Sequence, residues 1–208
     1  MGRVENEEAA PRQPMFNLPP ATKALIAANV AVFAVMFFLP GALADRVVEH
    51  LGFVPARYHA LSLWALVDPI TYQFIHAGFA HIAVNMLGLA AFGAGVEQRM
   101  GRVRFLLFYL ACGVAGAFTQ WALDPSAEDV VVGASAAISG LFGGILRLAV
   151  FRRGFWMLVV LWLVMNAVAG VSGLGSEGEP IAWVAHIGGF AAGLLLYPLA
   201  VRREFRGK

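Results

Sequence analysis

Six stretches of this 208-residue chain are too long and too apolar to rest in water. A helix that crosses a bilayer needs about 20 mostly apolar residues. The stretches run over Ala21–Leu43, Ala80–Val96, Val103–Leu123, Val132–Val150, Phe155–Val171 and Ile181–Val201. Hydrophobic residues make up 60% of the chain and charged residues 13%, against about 45–50% and about 25% in soluble domains. Such a chain has too little polar surface to coat a water-soluble globule. The expected fold is all-α, a polytopic membrane bundle of six transmembrane helices over residues 21–201. Residues 1–20 are polar and Pro-rich without the apolar core of a signal peptide, and read as a disordered cytoplasmic tail. Residues 202–208 read as a basic cytoplasmic tail.

Charge gives an independent test of this segmentation, which rests on hydropathy alone. Basic residues favour cytoplasmic loops. With six spans both termini share one side, which then holds Arg3, Arg12, Lys23, Arg99, Arg102, Arg104, Arg147, Arg152, Arg153, Arg202, Arg203, Arg206 and Lys208, leaving only Arg46 and Arg57 opposite. Both termini are therefore expected in the cytoplasm, compatible with a bacterial inner membrane. The loop Ala44–Phe79 is long and carries apolar patches too short to span, with Trp64 suited to the headgroup level. Nucleic-acid binding finds no support, since no basic stripe with interleaved aromatics is present. The single cysteine, Cys112, cannot form an internal disulfide and reads as a buried small hydrophobe.

Polar residues inside spans are costly and so are candidates for function. Three clusters stand out. His81 and Asn85 lie four apart on one helix face, with His76 just before that helix. Glue between helices, a functional pair and, less fittingly, a zinc site are all open readings; for the last, His186 is the only other histidine within a span and no acid lies in one. Ser135 opens the fourth span among Gly133, Ala134, Ala136, Ala137 and Gly140, with Ser139 one turn on. Packing alone accounts for most serines among glycines. A helix start, however, offers the free N–H groups and positive dipole that an oxyanion needs. His186 lies inside the sixth span beside the stripe Ala185, Gly189, Gly193. It is open to a structural role, a proton relay or general-base catalysis. If the two small-residue stripes meet, hydroxyl and imidazole come within hydrogen-bond reach. No acid lies in a span near His186, so a Ser–His dyad is expected rather than a triad, with Gly188 or nearby backbone as possible orienting groups.

These residues resemble the rhomboid family of intramembrane serine proteases, over about residues 22–201. The pattern H-x-x-x-N reads His81–Asn85, G-x-S-G reads Gly133-Ala134-Ser135-Ala136, and A-H-x-x-G reads Ala185-His186-Ile187-Gly188-Gly189. The resemblance implies Ser135 as nucleophile and His186 as its base. It also implies an oxyanion hole from His81, Asn85 and the Ser135 amide, with His76, Gly133, Ala136, Ser139 and Gly189 in supporting positions. Glu97 matches an acidic position to which a capping or salt-bridging role is assigned. No cofactor or metal is expected. The implied partners are the lipid bilayer and transmembrane segments of membrane-protein substrates, admitted past the second and fifth helices or the loop at residues 172–180. Two departures bear on activity: Ala136 stands where the family has glycine, and Ser139 where an aromatic often packs on the histidine. A Trp-Arg pair in the first loop finds only Trp64 here, without an adjacent Arg. An inactive relative that binds transmembrane segments, and a small transporter using the histidines, are the competing functions.

Overall fold

A computed structural model describes residues 18–60, 63–148, 154–172 and 182–201. Residues 1–17 of the expected N-terminal tail, the C-terminal tail and most of the 172–180 loop lie outside these residues. Among them the chain forms eight α-helices: α1 Pro20–Phe38, α2 Gly41–Leu51, α3 Leu63–Thr71, α4 Phe79–Met100, α5 Arg102–Leu123, α6 Ser135–Arg147, α7 Phe155–Ser172 and α8 Trp183–Ala200. Four of them, α1, α4, α5 and α8, are long and apolar enough to cross a membrane. The fourth and fifth expected spans are represented by α6 and the apolar part of α7, which are shorter.

The first expected span is cut short by proline chemistry. Pro40 disfavours helical angles in the residue before it, and Leu39 is extended at φ −72°, ψ 147°. The chain restarts at Gly41 as α2, whose Asp45, Arg46, Glu49 and His50 are too polar to continue a crossing. What the sequence presented as one long loop is thus a string of short helices: α2, a 3₁₀ turn at Pro55–Ala60, α3, and a second 3₁₀ turn at Tyr72–Phe74. This layer is pinned to the end of α5. Tyr58 packs edge-on against Phe118 and Trp121, with ring centres 5.2 and 5.4 Å away. The Tyr72 hydroxyl donates to the Gly113 carbonyl at 2.6 Å. Phe53 and Val131 exchange backbone hydrogen bonds of 3.0 and 2.8 Å, which ties the layer to the segment leading into α6. Within it, burial pushes the Asp68 carboxyl above the usual carboxylate range, against the opposing pull of Arg57 and His50.

At the opposite end Glu97 closes the start of α1. Its carboxylate accepts from the Ala21 N–H at 3.0 Å, the Thr22 N–H at 2.7 Å and the Thr22 hydroxyl at 2.8 Å. Orphan amides of a helix start meet a negative charge there, the arrangement favoured by the helix dipole. Capping is therefore the role the acidic position takes.

Helix α6 is the hub. Ala136, Ala137, Ile138, Ser139, Gly140, Leu141, Gly143, Gly144 and Leu146 along it are buried, surrounded by α4, α5 and α8. Its small residues let backbones touch. A methyl on Gly189 would collide with the Ala136 carbonyl, and one on Gly193 with the Gly140 carbonyl. The two stripes inferred from sequence do meet, for the reason that makes small residues favourable between membrane helices. Large apolar side chains such as Phe38, Leu87, Val103, Leu107, Trp156, Leu195 and Leu199 face outward, as a lipid solvent permits. With 13 residues, α6 is only about 20 Å long, short of the roughly 30 Å hydrocarbon core. A helix of this length leaves its first residue about 10 Å short of one face of that core when its last residue, Arg147, is set at the other.

Candidate active site

Ser135 is that first residue. The turn that delivers it depends on Gly133, at φ +115°, a region that side chains resist. A methyl there would also lie 2.6 Å from His81 Nε2. Gly133 is thus required twice, for the turn and for the approach of the histidine. Its N–H donates to the Tyr72 carbonyl at 2.9 Å, so the covering layer holds the turn.

Across from it, α8 places His186 one turn from its start. Its Nε2 is 2.7 Å from Ser135 Oγ, within the range for proton transfer. Its other ring nitrogen, Nδ1, is 2.6 Å from Asn166 Oδ1 on α7. The backbone near Gly188 does not orient the ring: Gly188 faces α5, where a methyl would strike Thr119. Nor does Ser139, which is buried on the α6 face lining the same cavity while both ring nitrogens are engaged elsewhere. Asn166 was missed in the sequence, though a signal existed. It is the only amide side chain in the apolar run from Phe155 to Val171, and such a residue is costly unless partnered.

The third side is α4. The Ala77 N–H approaches His81 Nδ1 at 3.4 Å, which favours the tautomer with its proton on Nε2, the atom nearest Gly133. Asn85 donates one amide hydrogen to the His81 carbonyl at 2.9 Å, leaving its other for the cavity it lines. His76, buried just before α4, packs edge-on against His81 with ring centres 5.1 Å apart. Burial, and secondarily His81, lower the His76 imidazole to about 4, so the ring is neutral at physiological pH. As the first residue of its helix, Ser135 has an amide without an intrahelical acceptor by position.

All of these side chains except His76 open into a cavity of about 1100 Å³. It is bounded by the segment Ala127–Val132, by Val84 and Gly88 of α4, and by Leu161 and Met165 of α7. Ala136 belongs to its lining, with its methyl turned toward α5. Ala136 is fully buried at 0% exposure and its Cβ rests on Gly116 of α5. The departure from glycine beside the serine is thus matched by a glycine on the neighbouring helix. Among the described residues no group of three or more His, Cys, Asp or Glu gathers around a common point.

A half-buried hydroxyl–imidazole–amide chain at a helix start, with donors across a cavity inside an apolar bundle, defines a class of membrane-embedded site. Comparison with known proteins places the chain more narrowly. The Rhomboid domain profile matches residues 60–203. YdcA of Bacillus subtilis is 32% identical over 143 residues, covering 69% of this chain and 70% of that protein. Rhomboid protease GluP of the same organism is 34% identical over 130 residues, covering 62% and 24%. RHOMBOID-like protein 7 of Arabidopsis thaliana is 35% identical over 151 residues, covering 71% and 46%. The chain therefore spans less than half the length of the last two. It is an integral membrane protein and belongs to the rhomboid family.

Proposed function

We propose that this chain is a serine endopeptidase that cleaves transmembrane segments of other membrane proteins inside the bilayer, by a Ser135–His186 dyad. The observation that carries the reading is the 2.7 Å separation of Ser135 Oγ and His186 Nε2 in a cavity faced by His81 and Asn85. Ser135 attacks the peptide carbonyl as its hydroxyl proton passes to His186 Nε2. The oxyanion is met by the His81 Nε2–H, the free Asn85 amide hydrogen and the Ser135 N–H. His186 returns the proton to the leaving amine, and water then hydrolyses the acyl-enzyme with the same base. His76 backs His81, while Gly133, Ala136, Ser139 and Gly189 shape the turn and the helix contacts. No cofactor enters this chemistry. The substrate reaches the cavity between α4 and α7, whose apolar side chains Val84, Leu161 and Met165 form its sides.

The same reading holds that residues 21–201 form the catalytic unit with six crossings, flanked by cytoplasmic tails, in a bacterial inner membrane. The basic residues gathered on one side support that orientation. Its test is cleavage of a model transmembrane substrate in proteoliposomes by wild type, Ser135→Ala and His186→Ala. A serine-directed fluorophosphonate probe is run in parallel. Wild type cleaves and is labelled, and both variants lose cleavage. Absent labelling of folded wild type, or wild-type cleavage by either variant, removes the dyad and leaves a protein that binds segments without cutting them.

A further inference from the structure

Resting on the protease reading above, we infer that Asn166 of α7 is a positioning residue that selects the tautomer of His186 competent to act as base. A neutral imidazole carries its proton on one nitrogen only. Catalysis needs that proton on Nδ1, so that the Nε2 lone pair faces the serine hydroxyl. A lone histidine does not enforce this, and among the described residues the ring nitrogens of His186 meet Asn166 and Ser135 rather than a carboxylate.

The arrangement around Asn166 supplies the constraint through a chain of donors and acceptors. The Asn166 Nδ2–H donates to the Trp162 carbonyl at 2.8 Å. A carbonyl can only accept, so the amide must turn its nitrogen toward Trp162 and its Oδ1 toward the imidazole. With the amide flipped, two oxygens would face each other at that distance. Oδ1 is likewise only an acceptor, and at 2.6 Å from Nδ1 it requires Nδ1 to carry the proton. The Ser135 hydroxyl then donates to Nε2 at 2.7 Å. The backbone of α7 thus sets the protonation pattern at the reacting serine through two side chains.

One turn away on each helix, a second contact holds the register. Trp162 stacks on Phe190 with ring centres 4.3 Å apart and planes at 17°. The pairs Trp162–Phe190 and Asn166–His186 are successive rungs between antiparallel helices. The apolar rung sets the separation and the polar rung sets the proton. Because Ser139 occupies a position without bulk on the α6 side, the hydrogen bond from α7 is what fixes the ring plane.

The test combines kinetics with a direct reading of the ring. Full-length protein carrying ¹⁵N-labelled histidine ring nitrogens is studied by NMR, with the His186 resonances assigned by their loss in His186→Gln. Wild type shows the proton on Nδ1. Asn166→Ala moves the neutral ring to the Nε2–H form or a mixture, and kcat for a model transmembrane substrate falls about tenfold to a hundredfold, with KM within about twofold of wild type. A purely structural role would shift KM or thermal stability and leave the tautomer alone. An unchanged tautomer, or wild-type kcat despite a changed one, overturns the inference. Should Asn166→Ala fail to fold, Asn166→Asp keeps an acceptor in the same place and must retain the Nδ1–H form; an Nε2–H ring there overturns it equally. The tautomer reading needs no activity, so wild type that fails to cleave refutes the protease reading separately.

Discussion

A methyl group added at Gly116 tests whether the alanine beside Ser135 is accommodated by α5. The new Cβ would stand 2.6 Å from the Ala136 Cβ and 2.6 Å from the Ala185 carbonyl oxygen. Carbon atoms in contact sit about 3.5–4.0 Å apart, so α5 must retreat by about 1 Å or tilt. Overpacking of this kind costs about 1–3 kcal/mol, which for a chain of this size lowers the midpoint of thermal unfolding by roughly 2–12 °C. Activity suffers too, because Ala185 adjoins His186 and a misplacement of about 1 Å can cost about a hundredfold in rate. The informative measurement is a double-mutant cycle in detergent. Ala136→Gly alone leaves cleavage within a few-fold of wild type, because its methyl is fully buried against α5. In the Ala136→Gly background the penalty of Gly116→Ala shrinks by about 0.5 kcal/mol or more, without vanishing, since the Ala185 carbonyl still opposes the new methyl. Equal penalties in both backgrounds would refute the pairing. So would a large gain of activity from Ala136→Gly alone, which would place the alanine methyl in the path of substrate after all.

Gly133→Ala combines backbone strain at φ +115° with a methyl 2.6 Å from His81 Nε2; cleavage is expected to fall about a hundredfold or more, while helix content by circular dichroism stays near wild type. Asn85→Ala removes one proposed oxyanion donor and is expected to lower kcat about a hundredfold with little change in KM; an unaltered kcat would exclude the side chain from the hole. Glu97→Ala strips the acceptor from three donors at the start of α1 and is expected to cost at least about 2 kcal/mol in thermal unfolding, with Glu97→Gln milder because one acceptor remains.

Much of this protein is legible in the chain because the relevant costs are local. An apolar run of about 20 residues has few homes other than a bilayer, so α1, α4, α5 and α8 are expected from hydropathy alone and found. A histidine or asparagine within such a run is expensive wherever it ends up, which makes His81, Asn85 and His186 visible without any knowledge of their neighbours. The glycine and alanine stripes around Ser135 and His186 likewise announce close helix contact, and α6 and α8 make it. Local chemistry also contained what was overlooked: Pro40 ends α1 early, and the long loop after it is largely helical among its described residues. Pairing is another matter. That the Ala136 methyl finds Gly116, and that the His186 ring is held by Asn166 rather than by the backbone near Gly188, depends on the rotation and register of α5 and α7 against their neighbours. Those are settled by the packing of the whole bundle, where hydrogen bonds such as the 2.6 Å contact of Asn166 and His186 join residues that no spacing in the sequence connects. The polytopic helical chain with a serine and a histidine in its spans was the sequence's own contribution. The third member of that chain of hydrogen bonds came only from the tertiary structure, because a buried polar group advertises its need for a partner but not which helix will bring one.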